Sequence, residues 1–542
     1  VFTPVFPAGI KLGITGMDPY SFNQEQMKYY HLRAPLTELY YVLGSKKEQF
    51  FKVLHSQNIT ENFNAGFEYR TFGADGFYSH QKTKHFNFKG FTWLKSGRYN
   101  LIANGLWNNF DFEENGGIAA DSLFEVLSNI TKNSIAVNLT NARNKWKNRQ
   151  FLVNQYIDFG KQRFSYGASY HSNSLSYKDD FPDTPFYKNI FIDSSQTNDK
   201  LQFIKVANTL GWTTVEPASE DSGSSVKRDA GNASSSVKRD AGNASLQAGL
   251  NLRHEYAEYH QNTVDTFLTG ILAKGFLGNS SYRKLNWRLE GDYGIDGAIK
   301  GNYSASVHFT LKSKSKGLFN VSSGILERTS SLSDALSSAN HFQWDNRFKN
   351  INTIFGTLEF SEVKRRIKTG ISAYLVNNYV YYNEKAVPAQ FSNDLGIVKF
   401  YLVKDFTWKF MVLKNSLIYQ YVSESMPINL PVLIGYHSLY INGRLFKNAL
   451  YAQLGADLYY SSSYYADAYM PASGRFYNQF EKKLGSYPYV DLFLNFMVSS
   501  ARIFLKVSHL NSGLSGNSYY TVPHYPMPDR AYKLGISWMF YD

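Results

Sequence analysis

Period-two alternation runs through this chain from end to end, and it limits the fold more than any other feature. In the last segment Tyr532, Leu534, Ile536, Trp538 and Phe540 share one face, while Lys533, Gly535, Ser537, Met539 and Tyr541 share the other. Side chains of a strand point to opposite faces in turn, so one face here is oily and aromatic and the other largely polar. Val490, Leu492, Leu494, Phe496 and Val498 repeat the pattern, as do Ile503, Leu505 and Val507 against Arg502 and Lys506. It returns in Leu450–Leu458, in Tyr303–Leu311 and in Leu285, Trp287 and Leu289 against Asn286, Arg288 and Glu290. Tyr99, Leu101, Ala103 and Trp107 alternate with Asn100, Asn104 and Asn108. Each segment has roughly 8–12 residues, the length a tilted strand needs to cross a bilayer. Ser96-Gly97, Asp296-Gly297, Asn442-Gly443 and Asn511-Ser512-Gly513 read as turns between them.

A soluble β-sandwich or solenoid also alternates. Two features favour a membrane barrel instead. Tyr, Trp and Phe crowd the ends of the oily face, where an interfacial girdle sits, and large charged residues occupy the middle of the polar face, which suits a wet lumen. A sheet can cross hydrocarbon only if it closes on itself, because every backbone amide there must be paired. The expected fold is therefore all-β, a closed antiparallel transmembrane β-barrel of about 14–16 strands with long loops on one side. No run of about 20 apolar residues offers a transmembrane helix. A mean hydropathy of −0.36 fits a barrel, since half of each strand faces water. The 0 Cys exclude a disulfide scaffold, a thiolate metal site and a cysteine nucleophile. The numbering opens at Val1, which is compatible with removal of an upstream export signal.

The chain length of 542 would allow several domains, but Tyr, Phe, Asn and Ser stay frequent throughout and no Pro-rich hinge divides it. Residues 1–35, with Pro4, Pro7, Pro19 and Pro35, read as an irregular strap or short insert into the pore, and 36–542 as the barrel. The strap is too short for the large globular plug of a TonB-dependent receptor. Ala119–Ser128 reads as a short helix, with Asp121 as N-cap, and Ser330–Asn340 as a weaker one. Surface loops are the preferred place for both, with folding into the pore as the alternative. Residues 222–246 are a low-complexity insert in which SVKRDAGNAS occurs at Ser225–Ser234 and again at Ser236–Ser245. That segment reads as a hairpin loop on the aqueous side.

The candidate site is the lumen wall. Glu362–Leu375 reads as one strand with Lys364, Arg366 and Lys368 on its polar face. Placing Lys or Arg at the lipid midplane costs about 2–4 kcal/mol, so that face belongs inside. By the same test Arg502, Lys506 and Lys533 face the lumen, with Arg288, Glu290 and Asp292 as an acid-bearing counterpart. Tyr532, Leu534, Ile536, Trp538 and Phe540 face lipid. Two arrangements stay open. The charges form opposed basic and acidic ladders that set a transverse field with an anion bias, or they pair and fill a plugged lumen. His254, Glu258 and His260 share a strand face, but their spacing is not HExxH and no metal is expected. His437, Ser438, His509 and Asn511 have no spacing that singles out a hydrolase, so no catalytic residue and no cofactor is expected. Lys+Arg 57 against Asp+Glu 44 gives +13, but the cations are spread along the chain, which argues against nucleic acid and for a phosphate-rich lipopolysaccharide leaflet.

Several short stretches carry a family resemblance: Glu48-Gln49-Phe50, His55-Ser56-Gln57-Asn58-Ile59, Tyr436-His437-Ser438-Leu439-Tyr440, Ala468-Tyr469-Met470-Pro471-Ala472 and the segment from Tyr519 to Asp542. Through them the chain resembles the putative-porin family of Bacteroidota outer-membrane β-barrels. Tyr525-Pro526-Met527-Pro528 before the last strand is also similar to the ends of TonB-dependent receptors of that phylum, and Asp121-Ser122-Leu123 to its O-glycosylation acceptor. The resemblance implies a bacterial outer-membrane location. Its neighbours would be lipid, lipopolysaccharide and other outer-membrane proteins. The expected function is passive diffusion of small hydrophilic solutes. The competing expectation is a structural barrel with a filled lumen in a secretion or assembly complex.

Overall fold

The computed structural model describes residues 8–13, 16–126, 132–182, 185–215, 246–279, 284–313, 317–424, 426–514 and 516–541. The alternating segments form one closed sheet of 22 antiparallel strands. In chain order these are Leu36–Gly44, Glu48–Thr60, Phe63–Ala74, Thr83–Ser96, Tyr99–Glu114, Ala142–Phe159, Gln162–Asp179, Thr197–Thr214, Leu246–Gln261, Val264–Asn279 and Leu285–Gly297. Tyr303–Lys312, Leu318–Arg328, Ile351–Glu362, Ile367–Asn377, Leu395–Trp408, Met411–Val422, Leu433–Leu445, Leu450–Ser461, Tyr489–Val498, Ala501–Ser508 and Ala531–Tyr541 complete the circle. Each strand pairs with its sequence neighbours, and the cylinder closes where Leu36–Gly44 lies against Ala531–Tyr541, with Leu39 opposite Trp538. Closure leaves no barrel edge unpaired, which is what a membrane sheet requires.

Connections alternate between the two ends. One end carries tight turns such as 61–62, 97–98, 160–161 and 409–410. The other carries the long connections 115–141, 329–350, 378–394, 462–488 and 509–530. The long loops therefore gather on one side, as the alternation suggested. Four two-stranded hairpins lie within these loops, among them Leu336–Ser338 with Gln343–Asp345 and Ala468–Met470 with Arg475–Tyr477. The duplicated insert falls in the connection 215–245 between two strands, and residues 216–245, all of the insert but Leu246, lie outside the described residues.

The oily face points outward. Leu534, Ile536, Trp538 and Tyr532 are exposed on the outer surface, and Phe540 shares that face. The strand Ala142–Phe159 shows where the belt ends. Its outward residues Phe151, Val153, Ile157 and Phe159 are exposed and apolar, whereas Arg143, Lys145, Lys147 and Arg149 above them are exposed cations. From Phe151 to Phe159 the strand climbs roughly 20–25 Å along the axis at a tilt of about 40°, the height of a bilayer's hydrocarbon. The loop end of the long strands thus projects beyond the belt, while the short-turn end is flush with it.

The strand count of 22 exceeds the expected about 14–16 for two reasons. Strands such as Gln162–Asp179, of 18 residues, carry Ser172, Ser174 and Ser176 outward in the projecting half, so their alternation fades there. Glu362–Leu375 is also not one strand. A turn at 363–366, closed by Arg366 N to Val363 O at 3.1 Å, separates two strands. Conversely, Asn442-Gly443 is no turn, because it lies inside Leu433–Leu445.

Both short helices fold over or into the pore instead of lying on a surface loop. The helix Asp121–Val126 buries Phe124 in the loop cluster, and Asp121 is its first residue, not its cap. The predicted helix at 330–340 shrinks to one turn, Leu332–Ala335, where Leu332 packs with Ile10 and Leu12 of the N-terminal segment. A run rich in Ser favours turns and hairpins over a continued helix, and a strand follows at Leu336.

Candidate transport pathway

Residues 8–35 enter the lumen as a strap, apart from 14–15, which lie outside the described residues. The strap has almost no regular structure of its own, so its backbone groups are met by the inner wall. Leu32 N donates to Asn58 Oδ1 at 3.3 Å near the short-turn end, and Trp93 Nε1 donates to Tyr30 O at 2.6 Å. Asn108 brackets Phe22, accepting from its N at 2.8 Å and donating to its carbonyl at 2.9 Å. Asn87 donates to Tyr20 O at 2.8 Å. Toward the loop end Ile10 N donates to Glu255 Oε2 at 2.6 Å and Lys205 Nζ donates to Ile10 O at 2.9 Å. Arg70 and Lys89 sit 4.3 and 4.7 Å from the Phe22 ring centre.

An asparagine row continues the grip across the wall. Asn108 Nδ2 donates to Asn148 Oδ1 at 3.0 Å, and Asn148 Nδ2 donates to Asn173 Oδ1 at 2.6 Å. The sequence reading placed Asn104 and Asn108 on the polar face but gave them no role. Their four-residue spacing on one strand face was the available signal.

Lys368, Lys506, Lys533, Arg288, Glu290 and Asp292 lie on the inward side of their strands, opposite the exposed apolar residues, and their charges pair. Lys506 meets Asp491 at 2.6 Å, Lys533 meets Glu48 at 2.7 Å and Lys368 meets Glu359 at 2.9 Å. Arg288 meets Glu290 at 3.0 Å, and Asp292 meets Arg328 at 2.8 Å. Alternation alone did not single out Glu68 between Arg70 and Lys89, each at 2.6 Å, or Glu255 between Arg253 at 2.9 Å and Lys205 at 3.5 Å. Acids and bases therefore alternate around the wall as local pairs, instead of standing as opposed ladders. Lys364 and Arg366 leave the set, because both lie exposed in the 363–366 turn on the short-turn rim. Arg502 faces the lumen near that rim and has no ion-pair partner among the described residues.

The other residues weighed from sequence separate. His254, Glu258 and His260 point outward on the strand Leu246–Gln261, where His260 Nδ1 lies 2.6 Å from Asp265 and its Nε2 3.7 Å from Glu258. His437 and Ser438 project to opposite faces of one strand, so they cannot act together. His509 is buried between Tyr487 and Pro528 O, and burial lowers its pKa.

The loop end is closed by side-chain packing. Tyr78, Ile118, Phe124, Ile135, Leu484 and Tyr519 from four loops form one buried cluster. Lys482 ties two of these loops, with Nζ 2.6 Å from Asp121 and 2.7 Å from Glu125, and lies 3.6 Å from the Tyr520 ring centre. Burial would raise the pKa of Asp121, but hydrogen bonds from His524 and Lys482 outweigh it and hold the carboxyl below its usual value. Burial lowers Lys132, and its contact with Asp529 at 2.5 Å restores only part of the loss. Asp467 lacks such partners among the described residues: its Oδ1 is buried without a hydrogen bond there, and burial pushes its carboxyl up to about 6.

Two spaces remain along the axis. An inner chamber lies between the strap, the wall and the loop hairpins, bordered by Leu12, Trp146, Tyr259 and Arg475. An outer vestibule of about 1960 Å³ opens among the loops near Lys188, Glu384, Glu481 and His524. Phe342 and Tyr469 border both spaces and so form the partition between them. Tyr469 is pinned by its hydroxyl, which donates to Glu114 Oε1 at 2.8 Å.

A closed 22-stranded cylinder with a bilayer-high apolar belt, a polar lumen and an internal strap defines a β-barrel of the outer-membrane type. The family model for the Putative porin family, Porin_10, matches residues 7–542, and the chain belongs to that family. No curated protein matches it. Among solved structures, the chain is similar to the copper transporter OprC, with TM-score 0.65 and 10% identity over 95% of this chain and 82% of that one. It is also similar to the siderophore receptor PirA from Acinetobacter baumannii, with TM-score 0.63 and 9% identity over 95% and 81%. The FrpB iron transporter from Neisseria meningitidis follows at TM-score 0.61 and 10% identity over 94% and 82%. At these identities the likeness is one of fold.

Proposed function

We propose that the protein is an outer-membrane channel for small hydrophilic solutes, held shut in this conformation by its strap and its loops, and neither an enzyme nor dependent on a cofactor. One observation carries the reading: a polar, charge-bearing inner wall runs through a cylinder whose outside is apolar over the height of a bilayer. Nothing in a purely structural barrel calls for a wet wall of that length. The tight-turn end faces the periplasm and the projecting loop end faces outward. Arg502, unpaired near the inner rim, gives passing ions an anion bias.

The loop-side edge of the belt fits a phosphate-rich lipopolysaccharide leaflet. A groove of about 1200 Å³ on the outer surface is floored by Tyr41, Phe51 and Phe86 and overhung by Lys47, Lys84 and Lys147. Aromatic rings suit acyl chains and ammonium groups suit the phosphates just above them.

The sealed loop end favours a second reading, a barrel that serves as a filled structural member of a larger outer-membrane assembly. Planar-bilayer recording separates the two. The intact chain is expected to conduct weakly, and deletion of residues 1–35 to raise unit conductance at least tenfold, with Arg502→Glu shifting the reversal potential toward cations. If both proteins are folded and neither conducts, the channel reading fails and the structural one stands.

A further inference from the structure

Arg475 is the least committed cation of the inner chamber. It lies in the hairpin Ala468–Met470 with Arg475–Tyr477, deep in the lumen, yet part of its surface remains accessible and borders the chamber. Among the described residues its one hydrogen bond goes from Nη2 to Ser333 Oγ, and no carboxylate lies within ion-pair distance. Asp334 and Asp18 are the acids whose charge reaches it, and Asp334 is already taken up by Tyr382 at 3.0 Å and by Ser331. A guanidinium has five N–H donors in a planar fork and no acceptor. Most of that fork is left for the chamber.

The ring of Trp146 also borders the chamber, with its Nε1 buried away from the space. Tyr259, Trp344 and Tyr382 border it too, beside Leu12, Gln261 and Asp199, whose carboxylate already accepts from Asn340 N and Asn262 Nδ2. A planar or pyranose ring fits between the aromatic faces, and an oxygen pair on that ring meets the fork.

We propose that the inner chamber is a binding site for a small solute carrying a carboxylate on a ring, with Arg475 taking the carboxylate and the rings of Tyr259, Trp344 and Tyr382 flanking the solute's own. The solute enters from the vestibule past Phe342 and Tyr469. This deepens the channel reading and rests on it for the route, though not for the binding.

Isothermal titration of the full-length protein in detergent tests the site, with benzoate and glucuronate as probes for the two sources of a ring carboxylate, and benzamide and glucose as their uncharged counterparts. At least one acid is expected to bind, and at least tenfold tighter than its counterpart. Arg475→Gln is expected to weaken it tenfold or more, and Arg475→Lys less. No binding of either acid overturns the proposal, as does equal binding of acid and counterpart or unchanged affinity in Arg475→Gln. Should Arg475→Gln fail the heat-modifiable gel shift of a folded barrel, the acid-to-counterpart ratio and the Arg475→Lys value decide instead. Binding without conductance in any variant keeps the site and removes the channel; conductance without binding removes the site alone.

Discussion

The two halves of the lumen are filled by different chemistry. At the loop end the inward residues Trp146, Tyr177, Phe203 and Tyr259 are buried beneath the strap and the loop hairpins. At the short-turn end the inward residues are partly accessible and charged, as with Arg163, paired to Asp158 at 2.7 Å with its guanidinium 3.9 Å from the Tyr156 ring centre. The strand alternation is the same in both halves, so the wall does not make the difference. What makes it is what is laid against the wall: the loops and the first part of the strap at one end, and at the other the rest of the strap, held by Asn58 and Trp93, with water beside it. A closed conformation therefore resides in removable pieces, and the barrel itself can stay unchanged while they move.

The largest break of this contrast comes from deleting residues 1–35. It strips the polar wall of the groups that Asn58, Asn87, Asn108 and Glu255 now hold, and water should replace them. The tenfold rise in unit conductance expected above would then come with little loss of barrel stability, measured by urea unfolding from bilayers. A collapse of the barrel would show that the strap is part of the wall's folding and not a removable piece.

A smaller effect is expected in the wall itself. Glu68 is buried between Arg70 and Lys89, so Glu68→Gln leaves two cations facing one another. Removing one partner of a buried pair costs about 3–5 kcal/mol, and partial access of water to Arg70 puts the value near about 3. Urea unfolding reads it directly. A loss under about 1 kcal/mol would mean that the wall pairs are solvated and contribute little.

The sequence made the wall legible and its contents hardly at all. The last strand could be assigned face by face because Leu534, Ile536 and Trp538 lie exposed on the outer surface while Lys533 meets Glu48 inside, and one change of surroundings per residue writes itself into the side chains. The projecting halves of the long strands meet water outside and loop residues inside, so Arg143, Lys145 and Lys147 alternate with Asn144 and Trp146 without an oily face to signal a strand. The chamber was less legible still. Arg475 and Trp146 come from segments far apart in sequence, and only closure of the cylinder brings them to one space. The strap was readable as irregular from its prolines, but its grip by asparagines depends on strand register, which no local pattern carries.

In the loop cap a lesser effect is expected. Lys482→Ala removes two ion pairs and the contact with the Tyr520 ring, at a site only partly shielded from water. About 1 kcal/mol of loop closure should be lost. Faster proteolytic cleavage within 462–488, with unchanged barrel unfolding, would place that loss in the cap alone. Equal cleavage rates would mean that the aromatic cluster closes the end without the lysine.

The subtlest difference is one of pH, and it concerns Asp467 in the same loop. Its carboxyl is raised to about 6 by burial in the closed loop, whereas in an opened loop it returns to about 3.9. The closed state thus holds a proton that the open state releases, and closure is favoured at low pH. That advantage is complete below about 4 and is lost as pH rises through about 6. Asp467→Asn keeps the neutral shape at every pH, so its loop should not share this dependence. His509 acts in the opposite sense, since burial lowers its pKa and protonation at low pH opposes closure, but the substitution leaves it in place. The difference between the two proteins therefore isolates Asp467. Hydrogen exchange of 462–488 should find the wild-type loop better protected at pH 5 than at pH 7.5 relative to the variant; an identical pH response in both would show that this carboxyl is hydrated in the closed cap, and that the loop end is wetter than its packing implies.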